Sequence, residues 1–289
     1  MSGQSISVRP GINLRLFALT VAAMAAFAAN SVLCRLALRN TAIDAATFTS
    51  VRLVSGALML GLIMLVRYDK PASQAGNWLS AAALFTYAAG FSFAYLGLST
   101  GTGALLLFGA VQTTMIVLAL WHGERLCVKQ WIGLVLSMLG LVVLMLPGIT
   151  APPAANAALM LIAGLAWGVY SIRGRGCADP AGETAANFAR SILMTLVLSA
   201  AFHAHTQFDG PGVFYASLSG AIASGVGYTI WYSALRGLSR TSAAAVQLCV
   251  PVLAAVGGVV FLGESPTIRL LFASVAILGG IALVVLKRH

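Results

Sequence analysis

Two short stretches decide how this chain is organised: WHGERL at residues 121–126 and FLGESP at residues 261–266. Each sets a Gly-Glu pair between two apolar runs, and Glu124 and Glu264 stand 140 residues apart. Sliding the chain over itself by 140 residues, without a gap, also aligns Ser31 with Ser171, Phe48 with Phe188, Asp69 with Asp209, Pro71 with Pro211, Gly97 with Gly237, Ser99 with Ser239 and Gly140 with Gly280. Alanine and leucine matches carry little weight in so apolar a chain. Matches of less common residues at one constant offset mark an internal duplication, with a first repeat over residues 1–148 and a second over 149–289.

The surroundings of these residues belong in a membrane. The chain is 60% hydrophobic and only 8% charged, with a mean hydropathy of +0.94, far above the usual soluble range of about 45–50% apolar. At about 20 residues per transmembrane helix, ten spans use most of the 289 residues. Apolar runs between charged breaks place them at 14–36, 46–66, 76–98, 102–121, 130–147, 155–173, 185–204, 213–234, 241–262 and 267–286. The fold expected is an all-α integral membrane protein of ten helices. Arg9 and Arg15 ahead of the apolar run at 16–28 resemble a signal peptide, but the repeat pairs this first helix with the sixth, so it is expected to stay.

Five helices per repeat is an odd number, so the second copy must start from the opposite side of the membrane, as an inverted-topology repeat. Charge patterning agrees. With both termini in the cytoplasm, Arg9, Arg15, Arg67, Lys70, Arg125, Lys129, Arg173, Arg175, Arg236, Arg240, Lys287 and Arg288 fall inside, 12 of the 17 basic residues. Arg35, Arg39 and Arg269 fall outside, and Arg52 and Arg190 lie near helix ends. Equivalent loops carry different charges in the two orientations: RYDKP at 67–71 has two positive residues, while QFDGP at 207–211 has none. LSTG at 98–101 is neutral, and LSRT at 238–241 carries Arg240. A multi-pass protein of a bacterial inner membrane follows.

The Gly-Glu pairs then sit in turns before the last helix of each repeat, where a glutamate accepts from free backbone N–H groups at a helix start. All seven acidic residues, Asp44, Asp69, Glu124, Asp179, Glu183, Asp209 and Glu264, fall in or beside loops. A carboxylate at mid-membrane is costly and marks ion or proton sites; without one, tight proton coupling through a titrating acid is not expected. The net charge of +10 is spread in ones and twos rather than gathered in a stripe, so nucleic acid is not an expected partner. The four cysteines form no CxxC pair, His203 and His205 make an isolated HxH, and HExxH, P-loop and GxSxG motifs are absent. Neither a metal nor a cofactor is expected, and an intramembrane enzyme lacks an acid, His or Cys constellation at one depth.

Polar and amphipathic side chains cluster by helix instead. Trp167 and Tyr170 are three apart, and Tyr228, Trp231 and Tyr232 follow the i, i+3, i+4 spacing, so each set shares a face. Candidates to line a substrate cavity are Asn30, Tyr87, Gln112, Trp167, Tyr170, Tyr228, Trp231 and Gln247. Pro251 interrupts helix 9 where the first repeat has Val111, a candidate hinge. Gly164 with Gly168, Gly220 with Ser224, and Ala254 with Gly258 are small-xxx-small packing pairs.

Two inverted five-helix repeats, each closing on a Gly-Glu turn, resemble the EamA-type branch of the drug/metabolite transporter superfamily over nearly the whole chain. YLGLSTGTGALLLFGAVQTTM at 95–115, AWGVYSIRGRG at 166–176 and AVQLCVPVLAAVGGVVFLGE at 245–264 are similar to the amino-acid exporters of that branch, including the aromatic amino-acid exporter type. The resemblance implies a basket-like bundle in which helices 1–4 and 6–9 line the pathway and helices 5 and 10 brace it. By position it brings Asn30, Gln112, Trp167, Tyr170, Trp231 and Gln247 to that pathway. The small multidrug relatives carry a glutamate in helix 1 that this chain lacks. An exporter of small zwitterionic metabolites, working as a monomer by alternating access, is the leading expectation; another solute, such as a drug, nucleotide sugar or phosphate ester, is the alternative.

Overall fold

The computed structural model describes residues 14–66, 76–121, 127–146, 151–174, 179–238 and 246–285. The described residues are all helix and turn. Seven helices are long and apolar enough to cross a membrane and three more are shorter and apolar. In chain order they are α1 (Leu14–Asn40), α2 (Ala45–Val66), α3 (Trp78–Ala94), α4 (Thr100–Trp121), α5 (Val128–Met145), α6 (Ala154–Arg173), α7 (Pro180–Ala201), α8 (Gly210–Leu235), α9 (Cys249–Leu262) and α10 (Ile268–Val285). These are the expected ten, arranged as two sets of five.

Several ends differ from the sequence expectation for local reasons. α3 stops at Ala94 rather than 98, because Tyr95 to Gly97 form a tight turn whose N–H groups bond back to Phe91, Phe93 and Ala94. α7 begins at Pro180 rather than 185, since proline is tolerated in the first helical turn. α9 begins at Cys249 rather than 241: Val246 and Gln247 are helical, but Leu248 is a turn. Pro251, three residues on, has no N–H to continue the ladder through this point. Residues 241–245 lie outside the described residues.

The duplication is visible in the packing. α3 lies on α6 as α8 lies on α1, α4 lies on α6 as α9 lies on α1, and the pairs α2–α7, α4–α9 and α5–α10 face their own repeat partners. The correspondence reaches single residues. A Cβ on Gly97 would sit 2.5 Å from Oδ1 of Asn156, and one on Gly237 would sit 2.9 Å from Cδ1 of Leu16; residues 16 and 156 are themselves 140 apart. At the α5–α10 contact, the Ser137 hydroxyl lies 3.2 Å from the carbonyl of Ile277, its own repeat partner. Large apolar side chains such as Leu58, Leu65, Trp131, Val197, Phe261 and Val275 are exposed around the outside, where acyl chains would cover them.

Most of the basic residues behind the orientation argument, Arg9, Arg67, Lys70, Arg125, Arg175, Arg240, Lys287 and Arg288, lie outside the described residues, as do Asp69 and Glu124. At the end of the bundle assigned outside, two loops clasp each other. The Asp44 carboxylate accepts from the N–H groups of Ala46 and Thr47, capping α2, and reaches across to the N–H of Gln207 at 2.9 Å. Asp209 answers by accepting from the N–H of Ala42 at 3.0 Å. Burial alone would raise the Asp44 carboxyl, but hydrogen bonds from the Thr47 side chain and from the backbone N–H groups of Gln207, Thr47 and Ala46 outweigh it and hold the group below its ordinary value.

A carboxylate depressed in the folded state stabilises above its unfolded pKa, and that stability is lost as pH falls through the folded pKa. Replacing an N-cap aspartate by alanine costs about 0.5–2 kcal/mol. Asp44→Ala is therefore expected to lower the melting temperature of the purified protein at neutral pH, with the gap from wild type closing only once pH drops below the ordinary carboxylate range. A gap that stays constant down to acid pH would mean that the charge plays no part.

Candidate functional site

The cavity of interest lies between the repeats. Phe27, Asn30 and Ser31 of α1, Tyr87 and Phe91 of α3, Leu107 and Phe108 of α4, Trp167 of α6, and Ala223 and Tyr228 of α8 line a narrow cavity. Four of the candidates named from sequence, Asn30, Tyr87, Trp167 and Tyr228, meet here. Three come from separate faces of the first and second repeats, and the fourth, Asn30, arrives because α1 buries the face that carries Phe27, Asn30, Ser31 and Cys34.

Its polar side is one connected network. Ser219 Oγ donates to Asn30 Oδ1 at 2.6 Å, Asn30 Nδ2 donates to the Tyr87 hydroxyl at 3.2 Å, and Arg52 Nη2 donates to the same hydroxyl at 3.0 Å. Four helices, α8, α1, α3 and α2, are thereby joined through neutral acceptors. Ser219 and Ala223 can take part because α8 widens into a π-helical stretch over Leu218–Val226; such stretches are rare and recur at functional sites.

The other side is aromatic. Trp167 lies 4.7 Å from the Tyr87 ring, 5.1 Å from Tyr228 and 5.5 Å from Tyr170, centre to centre. Phe27 meets Tyr228 and Trp231 edge-on at 5.9 and 5.8 Å. Tyr170 itself belongs to a second, smaller space near the end of α6, shared with Ser80, Pro180, Glu183, Thr184, Asn187 and Tyr232. Trp167 thus stands between the two spaces. At that end Arg173 donates to Ser80 and to Asn77, and Asn77 in turn donates its N–H to Asn187, tying α6, α3 and α7 together.

Besides Tyr170, three candidates stand apart from the cavity wall. Trp231 is buried against Phe27. Gln112 is buried in α4 with its Nε2 lacking an acceptor, while the neighbouring Thr113 and Thr114 hydroxyls bond back to their own helix. Gln247 is half-buried in the irregular start of α9. Gly164 and Gly168 pack α6 against Ala110 and Thr114 of α4, a contact rather than a lining.

The Gly-Glu turn of the second repeat ties three helices together. Gly263 closes α9 at φ +63°, a conformation that favours glycine, and aims Glu264 back over the bundle. The expectation was that Glu264 caps the helix that follows it. Instead its Oε2 accepts from the N–H of Thr100 at 2.8 Å, capping α4, and its Oε1 lies 3.4 Å from Arg35 Nε of α1. α10 is capped by the hydroxyl of its own Thr267. Arg35 also donates to the carbonyls of Tyr95 and Leu96, and Arg39 to that of Leu262.

A residue that sequence reading left near a helix end is Arg52. It is the eighth residue of α2, about 10 Å along the helix, and only 1% exposed. The signal was its spacing: Arg52 follows Phe48 and precedes Gly56 and Leu60 by multiples of four, on the buried stripe of α2.

The EamA-like transporter family matches residues 15–146 and again 155–286. An uncharacterized protein of Pseudomonas aeruginosa, PA1977, is 54% identical over 275 residues, which cover 95% of this chain and 96% of the relative. A crystal structure of a protein with 19% sequence identity superposes with a TM-score of 0.67 over 92% of this chain and 95% of that one, a likeness of fold alone. Two family repeats make up this ten-helix membrane bundle, and they meet at a polar and aromatic cavity: the chain belongs to the EamA-like transporter family, within the drug/metabolite transporters.

Proposed function

We propose that the chain exports small zwitterionic metabolites, most of all amino acids, across a bacterial inner membrane, with both termini in the cytoplasm, as a monomer. The halves 1–148 and 149–289 would rock about the cavity between them, exposing it to one side at a time. The observation that carries this reading is the cavity's composition. It offers amide and phenol groups able to donate and accept beside broad aromatic faces, and among the described residues no carboxylate lines it. An ammonium group is held well by aromatic faces such as those of Trp167 and Tyr228. Apolar walls of this kind discriminate weakly between side chains, since a methylene is worth only about 1–3 kcal/mol in a pocket, so broad specificity is expected.

Proteoliposomes loaded with labelled amino acids, drugs and sugar phosphates test the reading directly. Several unrelated L-amino acids should exchange without a pH gradient, and Trp167→Ala should slow all of them by about tenfold while the protein remains folded. Gln112→Ala separates lining from support: an equal loss would bring Gln112 itself into the pathway. Exchange of drugs or sugar phosphates alone would remove amino acids as the substrate class.

A further inference from the structure

A buried guanidinium with free donors is out of place in a membrane bundle unless something arrives to meet it. Arg52 Nη2 is used by Tyr87, but Nε and Nη1 are buried with no acceptor. The charge itself is not neutralised: no carboxylate among the described residues forms an ion pair with Arg52. What surrounds Arg52 is aromatic. Its guanidinium carbon lies 5.1 Å from the centre of the Tyr87 ring and 5.0 Å from that of Phe91, and both rings are walls of the cavity. The rings offset part of the burial cost, but an unpaired charge and two unmet donors in a low-dielectric interior remain unfavourable.

We infer that Arg52 is the binding residue for the carboxylate of the substrate. The inference rests on the transporter reading above and narrows it: the solute must carry an anionic oxygen group, and Arg52 selects for it. Arginine suits this role because its planar donors match two carboxylate oxygens and because it stays charged. In the state described, the Tyr87 hydroxyl occupies one donor. A carboxylate reaching Arg52 from the cavity must pass the edge of Tyr87 or Phe91, so binding turns one of these rings and loosens the link from Arg52 through Tyr87 to Asn30 and Ser219. Carboxylate binding on α2 is thereby felt on α1 and α8, helices of both repeats. Residue 192, the repeat partner of Arg52, is an isoleucine, so the site is single.

Four probes that share one ring separate the groups: L-phenylalanine, 3-phenylpropionate, L-phenylalanine methyl ester and phenyl phosphate, each read by thermal shift of the purified protein and by competition in exchange. L-phenylalanine and 3-phenylpropionate should stabilise the wild type, and the ester, which lacks the anionic oxygen, should be weaker by about tenfold or more, the value of one lost charged hydrogen bond. Arg52→Gln should remove the preference for the acid over the ester, and Arg52→Lys should keep a reduced one. A purely structural arginine would weaken acid and ester alike. Should Arg52→Gln fail to fold, the wild-type ranking and Arg52→Lys still decide. Equal binding of acid and ester overturns the assignment and leaves the transporter reading standing. Binding of phenyl phosphate alone, or of none of the four, also overturns it. Arg52-dependent binding of 3-phenylpropionate without any amino acid keeps the assignment and removes the amino-acid reading.

Discussion

Glu264→Ala is expected to open the outer end of the bundle and to slow exchange by about tenfold or more. Glu264 is one carboxylate serving three elements: it leaves the turn after α9, caps the first N–H of α4 at Thr100 and faces Arg35 of α1. Both side chains are largely covered, at 12% and 16% exposure, so water replaces these contacts poorly when they are lost. Hydrogen bonds to charged groups contribute about 1.5–3 kcal/mol each, and every 1.4 kcal/mol shifts a two-state population by about tenfold. The contacts join α9 of the second repeat to α1 and α4 of the first, so a separation of the repeats at this end would break them. A cysteine placed at Ser31, on the cavity wall, should react with a membrane-impermeant maleimide added outside far faster in Glu264→Ala than in the wild type, in a background without the four native cysteines. Glu264→Gln, which keeps an acceptor for Thr100 but not the charge, should fall between them. Unchanged labelling in both variants would show that the outer end is held shut by packing alone.

The second large effect is on folding. Gly220, in the π-helical stretch of α8, lies against the backbone of α2 so closely that a Cβ would collide with the carbonyl of Arg52 and the hydroxyl of Ser55. Rotamer changes relieve a side-chain collision, but the carbonyl belongs to a helix and can yield only if α8 moves away. That movement would also draw Ser219 from Asn30. Overpacking of this kind costs about 1–3 kcal/mol and occasionally more, and Gly220→Leu is expected to lower the melting temperature sharply and to deplete folded protein in the membrane. Gly61, also on α2, provides the comparison. Nothing lies within 4 Å of its would-be Cβ, so Gly61→Ala should be neutral or stabilise by about 0.5–1 kcal/mol. A neutral or stabilising effect at both positions would mean that helix propensity, and not the α2–α8 contact, sets the stability.

What the sequence determined by itself is the plan of the molecule: ten apolar helices, an internal offset of 140 residues, and an inversion that follows from five helices per copy. These are properties of composition, period and count, which local physics writes into the chain. It also brought Asn30, Tyr87, Trp167 and Tyr228 forward, because amphipathic groups in the middle of apolar runs need a reason to be there. The tertiary structure alone decided which of the candidates share a wall, setting Gln112, Trp231 and Gln247 behind or beside it. It moved the partner of Glu264 from the following helix to α4 and α1, a contact between residues 164 and 229 positions apart that no local pattern encodes. Arg52 shows the limit most clearly. Its place on the buried stripe of α2 was legible, but whether an acid met it there was not, since that depends on which side chains of α1, α3 and α8 pack around α2. A hydrogen-bond partner is settled by the sum of helix positions, and only the assembled bundle contains that sum.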